Sequence, residues 1–336
     1  MARPGATILD ADGLRLTAEE KAFFRDADPF GFILFARNVD APDQLRALTD
    51  EMREAVGRDA PILIDQEGGR VQRIWPPMAR KWLPPLDFAE AAGAGAPRAM
   101  YLRARLIAED LRRHGIDTNC APTLDVARDE THPFLRNRCY GTDPDTVAEL
   151  GRATARGFLD GGVLPVAKHM PGHGLARADS HHDLPRVGLS LEELSDVDFA
   201  PFRALNDLPM GMTAHIVFDR IAPAPATLSP EMIALIREDI GFDGLLMTDD
   251  ISMKALAGTA AEITRSALAA GVDVVLHCNQ PLAERIAVAE AAGEMSAAGW
   301  ARAERALAQR QPPRPLDMTA VEAELDALSG RGPGDD

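Results

Sequence analysis

Three short strings in this 336-residue sequence concentrate the groups that could do chemistry. DQEGGRVQR sets Asp65, Glu67, Arg70 and Arg73 around two glycines. KHMPGHGLARADSHH carries Lys168, His169, His173, Asp179, His181 and His182. TDD ends in Asp249 and Asp250, while Asp125, Arg136, Arg138 and His215 lie between these strings. Carboxylates, cations and imidazoles in this mixture suit hydrolysis at an acetal. A carboxylate can attack an oxocarbenium-like carbon, and a second group must protonate the departing oxygen. In Asp179-Ser180-His181 a histidine has a carboxylate beside it, which can orient the ring and stabilise its imidazolium form. Imidazole, with an ordinary pKa of about 6.5, serves in turn as acid and base near neutral pH. It also leaves one negative charge fewer beside the nucleophile, an advantage when the leaving group is itself anionic.

Such groups need a scaffold that aims them at one place. Eight apolar runs recur along the chain: 6–10, 31–37, 61–66, 116–125, 163–169, 210–217, 244–250 and 272–278. Several are continuous rather than alternating, as expected of strands buried on both faces of a parallel sheet. Amphipathic helix patterns separate them at 17–27, 41–56, 98–115, 143–162, 229–241 and 259–271. Thr17 and Glu20 form a capping-box pattern at the first, and many of these segments end in glycine. Eight β-then-α units predict an α/β chain folded as a single (β/α)8 TIM-type barrel with extra C-terminal helices. A doubly wound open sheet fits less well, because DQEGGR lacks the G-x-G-x-x-G spacing. No linker divides the chain, so residues 1–330 are expected to form one catalytic domain and 331–336 a disordered tail. In a barrel the strand C-termini converge, and the candidate residues fall at the ends of the third to seventh strands.

Composition narrows the partners. With 36 Lys and Arg against 52 Asp and Glu, the net charge of −16 argues against duplex nucleic acid and anionic membrane surfaces. No stretch is long and apolar enough for a membrane span, and no secretory h-region opens the chain. Three sparse cysteines, Cys120, Cys139 and Cys278, suit reduced thiols and a cytoplasmic location. Each chemical string also has a plainer reading. DQEGGR can be a turn with solvated charges; one of Asp249 and Asp250 can cap a turn; His215 can be a hydrogen-bonded core histidine; Cys120 and Cys278 can be packing residues. Four of the eight histidines lie within residues 169–182, so a metal-dependent hydrolase is a rival, as is a non-catalytic sugar-binding protein.

The strings ILIDQEGGRVQRI, NRCYGTDP, KHMPGHGLARADSHHDLP and MTDDISM, in this order, resemble glycoside hydrolase family 3. The likeness is nearest to its bacterial β-N-acetylhexosaminidases of cell-wall recycling and spans roughly residues 6 to 290. It implies a retaining, two-step removal of terminal β-linked N-acetylglucosamine, with Asp249 as nucleophile, His181 as acid/base and Asp179 as its partner in a mobile loop. Asp65, Arg73, Arg138, Lys168 and His169 are then expected to hold sugar hydroxyls. The expected substrate is N-acetylglucosaminyl-1,6-anhydro-N-acetylmuramic acid, with or without peptide. No metal or organic cofactor is expected, and a monomer is the default. Two departures concern loop packing: Cys139-Tyr140 stands where Ser-Phe is common, and Leu175-Ala176 where residues are often more polar. Larger relatives add a second domain supplying a glutamate acid. The roughly 45 residues after the eighth unit are too few for one, which favours His181.

Overall fold

Each of the eight apolar runs overlaps one strand of a parallel barrel. The structure is a computed structural model that describes residues 3–176 and 184–329. The strands are β1 (Gly5–Leu9), β2 (Pro29–Leu34), β3 (Ile62–Ile64), β4 (Thr118–Asn119), β5 (Leu164–Met170), β6 (Met210–Thr213), β7 (Leu245–Met247) and β8 (Val275–His277). They pair in sequence order, with β8 also beside β1. A parallel bridge between Met247 and Val274, with Thr248 N donating to Val274 O at 3.1 Å, completes the circle between β7 and β8.

The continuous apolar character of these runs has a direct cause: residues pointing either way from a strand meet protein. Ile8, Phe30, Leu63, Val166, Met210, Met212, Leu245 and Met247 belong to one buried interior cluster. Leu9, Phe32, Leu34, Ile62 and Ile64 face outward into a second cluster, shared with helices such as Ala96–Arg113. The helix Ala297–Leu307 adds Ala303 and Ala306 to the interior cluster, and Met295 N donates to Pro4 O, so this segment packs at the strand N-termini. The opposite end is left for function.

Local signals act as expected. Thr17 and Glu20 form the capping box of Ala18–Ala27. Asp143, Ser229 and Thr259 cap Pro144–Asp160, Pro230–Glu238 and Ala260–Ala270 through their side-chain oxygens. The C-terminal helices are Leu282–Ala292, Ala297–Leu307 and Met318–Ser329. The deviations lie at the strand C-termini. The run 210–217 divides: Met210–Thr213 stays in the barrel, whereas Val217–Phe218 pairs with Arg186–Val187 in a separate two-stranded ladder. Thr227 Oγ1 turns the chain there by bonding Ala214 O at 3.0 Å. Among the described residues between β5 and β6, the helices are two short ones, Leu191–Ser195 and Ala200–Ala204. Among the described residues, no helix is long and apolar enough to cross a membrane.

Candidate active site

The first charged string is a tight return after β3. Gly68 has φ +102°, and a Cβ there would lie 2.0 Å from Arg103 Nη2 and 2.9 Å from Leu83 O. That space is needed because Arg103 Nη2 donates to the carbonyls of Glu67 at 2.6 Å and Leu83 at 2.8 Å. Gln66 Oε1 accepts from Arg73 N and Ile74 N, and Gln66 Nε2 donates to Ile74 O. The returning chain therefore brings Arg73 Nη2 to 3.2 Å from Asp65 Oδ2. Glu67 is turned inward and buried.

Lys168 on β5 meets this turn from across the barrel. Its ammonium lies 2.8 Å from Asp65 Oδ1 and 2.6 Å from Glu67 Oε1. Arg138 grips Glu67 with two hydrogen bonds, Nε to Oε2 at 2.9 Å and Nη2 to Oε1 at 2.8 Å. Burial alone would raise the Glu67 carboxyl, but Arg138 and Lys168 outweigh it and bring Glu67 down to about 2. Asp65 is likewise buried, and Lys168 and Arg73 hold it well below the usual carboxylate range. Burial would discharge Lys168, yet Asp65 and Glu67 keep it cationic, above its ordinary value.

Beside this cluster, Asp125 is fully buried after β4. Its Oδ2 lies 2.7 Å from His169 Nδ1, and its Oδ1 accepts from His173 N at 2.7 Å. Burial, reinforced by His169, pushes the His173 imidazole down to about 4. Among the described residues its buried Nδ1 has no hydrogen-bond partner. Downstream, Thr131 Oγ1 donates to Gly174 O and His132 N to Ala176 O, which pins the chain up to residue 176.

The two aspartates of TDD divide their work. Asp250 accepts from Ser252 N, Ser252 Oγ and Cys278 N, so it shapes the turn and ties it to β8. His215 Nε2 donates to Asp250 O at 3.0 Å, the role of a hydrogen-bonded core histidine. Among the described residues, Asp249 has one hydrogen bond, accepted at its Oδ1 from Asp250 N, and it lines the pocket together with Asp250. Burial raises its carboxyl, but His169, His215, the Asp250 amide and Lys168 prevail and hold it below the ordinary value.

These groups share a pocket of about 350 Å³, within the roughly 300–1,000 Å³ of small-molecule sites. Asp65, Arg73, Arg138, Lys168, His169 and Asp249 all line it, as do His173, Phe35, Phe134 and Asn279. Arg136 does not join them and instead bonds Arg128 O. Asp179, His181 and His182 lie outside the described residues, so half of the histidine group does too. Among the described residues, no cluster of three or more His, Cys, Asp or Glu has the arrangement of a metal site. The sequence marks Glu67 and Asp125 as strand-end carboxylates without revealing their roles as anchors. Phe35 and Phe134 carried no signal there; in the structure Arg37 and Arg73 lie over the former ring, Arg70 and Arg138 over the latter.

A closed parallel barrel that presents one polar, carboxylate-bearing pocket at its strand C-termini is the design of a barrel enzyme. The chain matches the glycosyl hydrolase family 3 N terminal domain over residues 7–307 and belongs to that family. It is 37% identical over 284 residues to a β-hexosaminidase of Alkalilimnicola ehrlichii, covering 82% of this chain and 81% of the relative. It also resembles the native structure of NagZ from Neisseria gonorrhoeae, with a TM-score of 0.83, 31% identity, and coverage of 98% and 97% of the two chains. The same protein in complex with N-trifluoroacetyl-D-glucosamine matches with the same TM-score, identity and coverage.

Proposed function

We propose that this chain is a retaining β-N-acetylhexosaminidase. It removes terminal β-linked N-acetylglucosamine from peptidoglycan-derived fragments, N-acetylglucosaminyl-1,6-anhydro-N-acetylmuramic acid with or without peptide, in the cytoplasm. The observation that carries the reading is the ionised Asp249 carboxylate, held at Oδ1 by the Asp250 amide and placed in the same pocket as Asp65, Lys168, Arg138 and His169. The β-hexosaminidase relatives and the NagZ complex with an N-acylated glucosamine support the sugar assignment.

Asp65, Arg73, Arg138, Lys168 and His169 bind the sugar hydroxyls and orient the ring. A carboxylate of Asp249 forms a bond to the anomeric carbon as the bond to the leaving oxygen breaks, and His181 gives that oxygen its proton. Water then attacks the same carbon, His181 takes the water's proton, and Asp249 leaves as a carboxylate. Asp179 orients the His181 ring and stabilises its cationic form. Two inversions return the β configuration.

Turnover of an aryl N-acetyl-β-glucosaminide beside an aryl β-glucoside tests the reading. We expect strong preference for the first, and loss by orders of magnitude in Asp249→Asn with the fold retained. Near-normal turnover in that variant removes Asp249 from the nucleophile's role. Preference for the glucoside would keep the chemistry and change the sugar; activity lost to a chelator would move the reading to metal-dependent hydrolysis.

A further inference from the structure

His169 touches the cluster at both ring nitrogens, and the two contacts prescribe one protonation pattern. At Nδ1 the partner is Asp125 Oδ2, 2.7 Å away; an ionised carboxylate can only accept, so Nδ1 carries a proton. At Nε2 the neighbour is Arg138 Nη2 at 3.4 Å; a guanidinium can only donate, so Nε2 turns its lone pair to it. Asp125 cannot rotate away. It is fully buried, and its other oxygen already accepts from His173 N at 2.7 Å and His169 N at 3.4 Å. We infer that Asp125 is a positioning residue: it holds the His169 proton on Nδ1 and keeps Nε2 an acceptor, so that a sugar hydroxyl entering the pocket takes over the Nε2 lone pair from the long 3.4 Å contact with Arg138 Nη2. The sugar contact rests on the proposed function above; the tautomer rests on the two distances alone.

This polarity has a consequence for recognition. A hydroxyl meeting His169 donates its proton there, while its oxygen stays available to the Arg138 and Lys168 donors nearby. The hydroxyl is thus bound through both halves, and an analogue that cannot donate loses the imidazole contact. Asp125→Asn reverses the pattern at one atom. Its carbonyl oxygen still accepts from the His173 amide, but its NH2 faces His169 Nδ1, which must then become the acceptor. The proton moves to Nε2 and points at the Arg138 guanidinium, the logic by which an aspartate-to-asparagine change misplaces an imidazole tautomer in hydrolytic triads.

Nitrogen-15 spectra of ring-labelled, ligand-free protein read the tautomer without reference to activity. We expect neutral His169 in the wild type to be protonated on Nδ1, and in Asp125→Asn on Nε2. A wild-type ring protonated on Nε2 overturns the inference even if the variant does not fold. Kinetically, Asp125→Asn should lower kcat/KM for the aryl N-acetyl-β-glucosaminide on the order of 10²-fold, with melting temperature and circular dichroism close to wild type. Added to His169→Ala it should cost no more than about twofold further, since residues acting through one another are not additive. An equal loss on both backgrounds would show a structural role and overturn the inference. A wild type that hydrolyses no N-acetylglucosaminide defeats the proposed function, while the spectra still decide the tautomer.

Discussion

Lys168 Nζ lies 2.6 Å from Glu67 Oε1, a contact between strand β5 and the turn after β3 that is almost completely shielded from water. With Asp65 and Glu67 contributing two negative charges and Arg73, Arg138 and Lys168 three positive ones, this wall of the pocket is net cationic in a protein of net charge −16. In the proposed reaction this wall keeps a neighbouring carboxylate ionised and offers preorganised donors to sugar oxygens.

Removing one charge from this wall should destabilise the fold and the pocket together. Glu67→Gln takes from the buried Lys168 and Arg138 a carboxylate that both contact directly, and breaking a buried pair costs roughly 3–5 kcal/mol. Urea unfolding at neutral pH measures it. A change within about 0.5 kcal/mol, the scale of surface substitutions, would mean that solvent or rearrangement compensates.

Gly174 is the second contact of consequence. A Cβ there would lie 2.0 Å from Val126 O, a backbone atom that cannot swing aside. Gly174→Ala should therefore displace the chain just before Asp179 and His181. The expected loss is at least on the order of 10-fold in kcat, larger for substrates with poor leaving groups. Wild-type kinetics in this variant would detach the position from catalysis.

For His181→Ala the leaving group decides the outcome. Help from a general acid is worth roughly 10²–10⁴-fold, and only a departing oxygen of high pKa needs all of it. A series of aryl N-acetyl-β-glucosaminides should show a steeper dependence on phenol pKa in the variant than in the wild type. Parallel lines for the two proteins would relegate His181 to shaping its segment.

Acid should weaken the fold in two separate windows. His173 falls from its ordinary 6.5 to about 4 because burial disfavours its charge. The unfolded chain thus takes up the proton first. Stability is complete above about pH 6.5 and is lost as pH falls toward 4, by about 3 kcal/mol over 2.5 units. Glu67, lowered from 4.5 to about 2, adds a further loss below pH 4.5. Denaturant unfolding at pH 7 and pH 5 isolates the first window, and His173→Asn should flatten it. An unchanged slope in the variant would assign the loss to other groups.

The barrel was legible because its signals are local or one-dimensional. Eight apolar runs read as strands since both faces of each are covered, and Thr17 with Glu20 announces a helix start within four residues. Asp65, Arg73, Arg138, Lys168, His169 and Asp249 were likewise visible as polar residues at the ends of such runs. The 210–217 run looked like one strand and became two pieces, because the bond from Thr227 to Ala214 that turns it spans thirteen residues.

The sequence by itself determined the repeating β/α order, the closed topology it favours, and which end of the strands would carry charge. Only the tertiary structure decided that Glu67 and Asp125 are buried anchors, that Asp250 ties the turn to β8 while lining the pocket beside Asp249, and that His169 is held between a carboxylate and a guanidinium. The physical reason is range. Hydrophobic periodicity and capping act between near neighbours in the chain, whereas a buried charge is tolerated only where partners 44 or 103 residues away arrive within hydrogen-bond distance.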